Sequence, residues 1–252
     1  MSAAILSVRG LTKRFGGVVV SSNIDLDLVE NEVHAVIGPN GAGKTTLINQ
    51  LIGELSPNSG NILFAGRDIT GLPVYRRSLL GLSRSYQITS LFLDFTALEN
   101  VSIAAQAHAG HSFGVWHPAA REDALTAPSL AALHRVGLAE KAHSLVAELA
   151  HGERRQLELA MALVTRSKVL LLDEPMAGMG PHESDAMVRL LSMLKGQYTM
   201  LLIEHDMDAV FALADRISVL VYGRIIATGP PSEIRNSGEV RKAYLGERYA
   251  SS

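Results

Sequence analysis

The sequence contains no cysteine, no surplus of charge of either sign and no long apolar run. Without cysteine the chain cannot form disulfides, use a thiol nucleophile or bind zinc through thiolates. Its 23 lysine and arginine residues nearly balance 25 aspartate and glutamate residues, which argues against a nucleic-acid partner. No apolar run approaches the roughly 18 residues of a membrane span, and the first residues lack the apolar segment of a signal peptide. We therefore expect a soluble, intracellular protein of 252 residues that folds as one α/β domain.

The first 70 residues have the pattern of β-strands. Ile24, Leu26 and Leu28 alternate with Asp25 and Asp27, and this period of two predicts a strand with one solvated face. The N-terminal part is therefore predicted to be rich in β-strands.

The pattern changes at residue 96. Thr96 and Glu99 have the spacing of a capping box, so we predict a helix from there to about Ala107. Glycines and prolines between His108 and Ser129 predict a loop or an interrupted helix in that segment.

Helices and strands alternate after residue 150. Three helices are predicted from apolar residues at helical spacing, which are Leu157, Ala160, Met161 and Val164, then Met187, Leu190, Leu191 and Leu194, then Met207, Val210, Phe211 and Ala214. The short apolar runs 169–172 and 200–203 are typical of strands buried in a parallel sheet. Residues 216–227 predict a terminal hairpin. Two arginine pairs, 76–77 and 154–155, are interpreted as solvated charges.

One segment has the complete pattern of a phosphate-binding loop. Its glycines permit positive φ angles and let consecutive backbone N–H groups surround a phosphate closely. Lys44 supplies positive charge to the outer phosphates, and Thr45 supplies a hydroxyl for Mg²⁺. An apolar strand, 33–37, precedes the loop and an amphipathic helix follows it. The predicted nucleotide-binding residues here are Gly38, Pro39, Asn40, Gly41, Ala42, Gly43, Lys44, Thr45 and Thr46.

Acidic side chains and a histidine follow two of the predicted buried strands. Asp173 and Glu174 come directly after the run 169–172, at the end of the strand where ligands lie in open α/β sheets. Asp173 is predicted to hold Mg²⁺, and Glu174 to act as general base towards the attacking water. His205 follows the other strand in the same way. A single histidine is usually structural, but three strand ends that converge on one nucleotide favour a functional role.

The remaining motifs resemble those of the ATP-binding cassette (ABC) proteins. Residues 149–153, Leu-Ala-His-Gly-Glu, lie upstream of Asp173 and resemble the signature loop of the family. Gln87 resembles the Q-loop glutamine, Phe15 the aromatic residue that stacks on adenine, and His205 the switch histidine. The motifs match the family in order and spacing over nearly the whole chain.

This resemblance implies a fold and a mechanism. The implied fold is a single α/β domain, 1–252, that has a P-loop NTPase core with a parallel sheet, an N-terminal antiparallel β subdomain and a helical signature subdomain inserted at roughly 88–165. Two cassettes dimerise head to tail, so that each ATP lies between one P-loop and the signature residues of the other cassette. The implied roles are signature contacts from Ala150, His151, Gly152 and Glu153, Mg²⁺ binding by Thr45, Gln87 and Asp173, and catalysis by Glu174, Gln87 and His205.

Two positions depart from the pattern of the family. Ala150 stands where the signature usually has serine, which removes a hydroxyl contact to the γ-phosphate. Gly180 stands where aspartate or asparagine is usual, in the loop that follows the two carboxylates. Neither change removes a predicted Mg²⁺ ligand or the predicted base.

A closer resemblance is to the ATPases of bacterial branched-chain amino-acid importers, of the larger type. It is carried by residues 149–158, 203–207 and 241–247. It implies ATP and Mg²⁺ as cofactors. It also implies a homodimer, or a heterodimer with a second ABC ATPase, that works with two integral-membrane permeases and indirectly with a periplasmic solute-binding protein. The implied location is peripheral, on the cytoplasmic face of the plasma membrane. A groove for a permease helix would lie near Leu91, Phe92, Leu93 and Phe95, which otherwise belong to the core. The alternatives are a lipopolysaccharide-exporter-like ATPase and a non-transport ATPase of the iron–sulfur assembly type.

Overall fold

The computed structural model describes residues 4–84, 91–108, 118–240 and 242, and for 118–124 and 239 it describes the backbone only. Within these described residues, ten strands form two sheets. The strands are β1 (Ala4–Phe15), β2 (Val18–Val29), β3 (Val33–Ile37), β4 (Ser59–Phe64), β5 (Arg67–Asp68), β6 (Leu82–Arg84), β7 (Val169–Asp173), β8 (Thr199–Ile203), β9 (Arg216–Val221) and β10 (Arg224–Gly229).

The first sheet is antiparallel and has the strand order β2-β1-β4-β5. On β2, Ile24, Leu26 and Leu28 are buried and Asp25 is exposed, as the alternation predicts. The apolar face of this sheet packs in one cluster with α1 (Lys44–Ile52) and with one face of the second sheet.

The second sheet has the order β10-β9-β3-β8-β7-β6. Five neighbouring strands are parallel, and β10 pairs antiparallel with β9 as the predicted hairpin. Leu170 and Leu172 on β7 belong to the cluster on one face of the sheet, whereas Val169 and Leu171 belong to the cluster on the other. Because both of its faces are covered, β7 is apolar along residues 169–172.

The remaining helices are α2 (Val74–Leu80), α3 (Ala97–His108), α4 (Pro118–Arg135), α5 (His151–Val164), α6 (Pro181–Leu194), α7 (Met207–Leu213), α8 (Pro231–Asn236) and α9 (Gly238–Val240). Helices α3, α4 and α5 contact one another. At the start of α3 the predicted capping box is present, since the Thr96 N–H donates to Glu99 and the Glu99 N–H to the Thr96 hydroxyl. Within the described residues, no helix is long and apolar enough to cross a membrane.

Of the two alternatives predicted between His108 and Ser129, the described residues fit the interrupted helix, since α3 ends at His108. Helix α4 begins at Pro118 and continues through Pro128. A proline inside a helix removes one backbone hydrogen bond. The buried Ser129 hydroxyl donates to the Leu125 carbonyl at 2.7 Å and accepts from the Ser102 hydroxyl at 3.2 Å, which links α4 to α3 beside the proline. Packing against α3 and α5 therefore keeps α4 helical through Pro128.

The interpretation of Arg77 as a solvated charge is also wrong. Its side chain is 1% exposed, and its guanidinium donates to four backbone carbonyls, those of Gln50, Leu51, Thr70 and Leu72, at 2.6–2.9 Å. Burial lowers the pKa of Arg77 to about 10, so the group stays charged at neutral pH. Arg77 thus donates to two of the last carbonyls of α1, those of Gln50 and Leu51, and the Gln50 carbonyl also accepts from the Gly53 N–H at 3.3 Å. Its neighbour Arg76 is exposed, as expected.

Candidate functional site

The phosphate-binding loop runs from the end of β3 to the start of α1. Gly43, with φ 103°, immediately precedes the helix. A Cβ atom at Gly43 would lie 2.6 Å from the Val20 carbonyl oxygen, and one at Gly38 would lie 2.0 Å from the Leu220 carbonyl oxygen. Only glycine fits at these two positions, because the loop is enclosed by neighbouring backbone on both sides.

Lys44 is the first residue of α1, and its side chain folds back over the loop. Its ammonium donates to the carbonyls of Gly38 at 2.7 Å and Pro39 at 3.1 Å. Burial lowers the pKa of Lys44, while the charges of Glu174 and Asp173 act in the opposite direction. The ammonium is therefore held in a poorly solvated position near two carboxylates, where its field acts strongly on an anion.

A cavity of about 230 Å³ lies over the loop and the first turn of α1. Glu174 reaches the same cavity from the end of β7. The structure thus brings the predicted loop and the predicted base together. The lining residues are Val20, Asn40, Gly41, Ala42, Gly43, Lys44, Thr45, Thr46 and Glu174.

The two carboxylates at the end of β7 differ in their surroundings. Glu174 has φ 50°, a conformation uncommon for a side-chain-bearing residue, and its N–H donates to the Ile203 carbonyl at 2.8 Å. Asp173 is largely buried and accepts a 2.6 Å bond from Arg84. Burial raises the pKa of Asp173, and the positive charges of Arg84 and Lys44 oppose this rise. Sequence reasoning missed Arg84, because a three-residue strand such as β6 gives no recognisable pattern.

Sequence reasoning also missed Glu204, which joins the strand ends. Its side chain is 1% exposed. One carboxylate oxygen accepts from the Met176 N–H at 3.0 Å, and the other from the His205 N–H at 3.0 Å. Glu204 therefore ties the loop that follows Glu174 to the residue predicted as the switch histidine. An acidic residue directly after an apolar strand was the available signal.

The structure describes two of the three other residues predicted for this site. His205 follows β8, which lies between β3 and β7, and its side chain is 61% exposed. Phe15 ends β1 with an exposed ring, and the ammonium of Lys13 lies 5.2 Å from the ring centroid. Gln87 lies outside the described residues.

The predicted signature residues lie at the start of α5. Ala150 is the N-cap and has no side-chain acceptor, so half of a capping box remains: the Glu153 carboxylate accepts from the Ala150 N–H at 2.9 Å. His151 Nε2 lies 3.4 Å from the Ala177 carbonyl, in the loop after the carboxylates. Ala150, Gly152 and Glu153 line a separate cavity of about 290 Å³ beside α6. Among the described residues that line the cavity over the phosphate-binding loop, none belongs to the signature.

Proteins of known sequence resemble this chain over its length. It is 42% identical to the high-affinity branched-chain amino acid transport ATP-binding protein BraF of Pseudomonas aeruginosa, across 98% of this chain and 100% of that protein. It is 41% identical to the corresponding protein LivG of Escherichia coli, with the same coverage.

Solved structures also match the fold. A nucleotide-free ATP-binding cassette from an ABC transporter aligns with a TM-score of 0.84 and 28% identity, over 97% of this chain and 100% of that one. The protein cbiO1 from Clostridium perfringens, part of the ABC transporter complex cbiONQ, aligns with a TM-score of 0.80 and 29% identity, over 95% and 93% of the two chains.

Family profiles give the same assignment. The ABC transporter profile matches residues 21–177, and the profile of the branched-chain amino acid ATP-binding cassette transporters matches residues 224–250. The predicted α/β P-loop fold with an antiparallel β sheet is confirmed. The chain belongs to the ABC transporter family and is an ATP-binding cassette ATPase.

Proposed function

We propose that this chain is the ATP-hydrolysing subunit of a bacterial ABC importer for branched-chain or related amino acids. The observation that carries the proposal is the end-to-end similarity to BraF and LivG, and the separate profile match of residues 224–250 agrees with it. The geometry supports the energy-coupling part of this function, because a lysine, a helix N-terminus and a carboxylate meet in one cavity.

In this proposal the phosphates of ATP lie over residues 38–46. The free N–H groups at the start of α1 and the Lys44 ammonium neutralise their charge, as in other phosphate sites at helix N-termini. Phe15 stacks on the adenine with its exposed ring. Glu174 holds and deprotonates the attacking water from the opposite side of the cavity, and His205 contacts the γ-phosphate.

Mg²⁺ is the proposed metal, and the residues suit it. Thr45 and Asp173 offer a hydroxyl and a carboxylate, which are the hard oxygen ligands that Mg²⁺ prefers. The third predicted ligand, Gln87, lies outside the described residues. When bound, the metal would neutralise charge that develops on the transferred phosphoryl group. Asp173 and Thr45 would hold this metal.

A second cassette is proposed to complete the site. The N-terminal end of α5 carries unpaired N–H groups and a positive partial charge, which suit a γ-phosphate. Within one chain the signature residues line a different cavity from the phosphate-binding loop. The positive end of α5 is therefore available to the ATP of another cassette, either a second copy or a different ABC ATPase.

Two permeases are the proposed membrane partners, with a periplasmic solute-binding protein acting through them. A cavity of about 700 Å³ lies between α2, β6 and α5. Elsewhere in the chain, Phe92, Leu93 and Phe95 expose nearly half of their surfaces, and the rings of Phe92 and Phe95 stack with their centroids 5.3 Å apart. A cytoplasmic helix of a permease would cover this apolar surface, which would hold the cassette on the cytoplasmic face of the plasma membrane.

The test is purification of the tagged full-length chain from native membranes. We expect two polytopic membrane proteins to co-purify, and the complex in proteoliposomes to take up leucine, isoleucine or valine only with ATP and the solute-binding protein. A Glu174→Gln complex is the matched control, with hydrolysis reduced by about 10²- to 10⁴-fold. Co-purification with soluble scaffold proteins alone would favour the iron–sulfur assembly alternative, and lipopolysaccharide release would favour the exporter alternative.

A further inference from the structure

Arg84 contacts the carboxylate that the proposed function assigns to the metal. It ends β6, where it is in register with Leu171 of β7, and its guanidinium extends to the end of that strand. Nη2 donates to Asp173 Oδ2 at 2.6 Å, and Nη1 donates to Asn49 Oδ1 at 2.9 Å. The two charged side chains are only 14% and 11% exposed. The contact is thus a buried ion pair.

This ion pair is much less exposed than the ion pair of Arg9 and Asp27. Arg9 and Asp27 also pair, at 2.8 Å, but their side chains are 53% and 37% exposed, and solvent screens their attraction. The pair of Arg84 and Asp173 is shorter and poorly solvated, so each charge acts on the other with little screening. Asp173 Oδ2 is therefore already engaged by a cation that belongs to the chain.

A metal ion at Asp173 has to compete with that cation. Mg²⁺ needs oxygen ligands at about 2.0–2.1 Å in a nearly octahedral arrangement. A guanidinium on Oδ2 uses the lone pairs of this oxygen and repels a divalent cation. The charge of Arg84 therefore opposes metal binding, although it also favours the ionised form of the carboxylate in the metal-free site.

The Arg84 guanidinium also lies near a second carboxylate, that of Glu54. Nη1 lies 3.4 Å from Glu54 Oε2, and both side chains border the cavity of about 700 Å³. The buried Nε atom of Arg84 has no hydrogen-bond partner among the described residues. A guanidinium that leaves Asp173 could therefore turn towards this cavity and keep a carboxylate neighbour.

We propose that Arg84 is a positioning residue that serves as a placeholder cation on Asp173. It occupies Oδ2 before the metal binds and gives this oxygen up when the metal enters with the nucleotide. The proposal rests on the proposed assignment of Asp173 to Mg²⁺, and it adds a residue of this chain that sets how tightly the metal is held.

The first experiment measures metal affinity rather than activity. Mn²⁺ is titrated into the full-length chain with bound ADP, and free Mn²⁺ is followed by electron paramagnetic resonance. Arg84→Gln should bind Mn²⁺ about tenfold more tightly, since a nearby like charge is removed. Arg84→Lys, which keeps the charge, should resemble the wild type, as should Arg9→Gln, the matched change in the exposed pair. Unchanged or weaker Mn²⁺ binding by Arg84→Gln would refute the placeholder role.

A second measurement uses the wild-type chain and needs no substitution in the site. With ¹⁵N-labelled arginine, addition of Mg²⁺ to the ADP-bound chain should shift the Nε resonance of Arg84 and leave that of Arg9 in place. A resonance of Arg84 that does not respond would overturn the proposal. Binding of a fluorescent ATP analogue in EDTA tests the proposed function separately, because the phosphate-binding loop then acts without metal.

Discussion

At the scale of single residues, the phosphate-binding loop depends on the absence of side chains. Gly43 combines a positive φ angle with a backbone oxygen of Val20 that lies 2.6 Å from where its Cβ would be. A larger residue would have to move either the loop or β2, and a residue with a side chain pays about 1–2 kcal/mol for this conformation. The position of Lys44, the next residue, is fixed by the same turn.

We predict that Gly43→Ala weakens ATP binding by about tenfold or more, because the loop must shift. Gly71→Ala is the control, since Gly71 has open space around its Cβ position and no left-handed conformation. Its ATP affinity should change by less than about twofold. Equilibrium binding of a fluorescent ATP analogue measures both variants. Equal affinity of Gly43→Ala and the wild type would show that the tight approach to Val20 is dispensable.

At the scale of elements, the strand ends converge through contacts between distant residues. Parallel pairing sets Val36 of β3 and Asp173 of β7 opposite Ile203 of the intervening β8. Glu204 then ties the loops after β7 and β8 together through backbone N–H groups. The loop that bears the proposed base and the loop that bears His205 are therefore expected to move as one unit.

The C-terminal end of helix α1 also depends on a residue from another element, since Arg77 of α2 donates to the carbonyls of Gln50 and Leu51. We predict that Arg77→Met lowers the free energy of unfolding by about 3 kcal/mol, because buried carbonyls lose their donor. Arg76→Met, at the exposed neighbouring position, should change it by less than about 0.5 kcal/mol. Urea unfolding measures the free energy of unfolding of both variants, provided that the m-value is unchanged. Similar small losses for the two variants would contradict the capping role.

These elements also show which features the sequence could predict. The phosphate-binding loop and the pair of carboxylates were predictable, because each is a continuous segment with its own pattern. Arg84 and Glu204 were missed, because their partners lie 89 and 28 residues away and only the sheet order brings them together. At Pro128 the sequence left a loop and an interrupted helix open for a related reason, since helix packing decides the outcome there.

At the scale of the whole molecule, the chain holds two half-sites that do not meet. The phosphate-binding loop with Lys44 and Glu174 forms one, and the N-terminal end of α5 with Gly152 forms the other. The His151 imidazole lies 3.4 Å from the Ala177 carbonyl, in the loop that follows the carboxylates, so one side-chain contact links the start of α5 to that loop although the two cavities are separate. A pair of cassettes would then join each loop to a signature helix of the other, and ATP would hold the pair together.

The most direct test is the intact mass of the Glu174→Gln complex, purified from native membranes with ATP and measured by native mass spectrometry. We predict two cassettes in each complex, either two copies of this chain or this chain and a different one, with two nucleotides bound between them. Cassettes that are measured apart from the permeases should form a pair with ATP and should separate from each other without it. A complex that contains a single cassette, or a pair that forms equally well without ATP, would contradict the proposal that each site is completed by a second cassette.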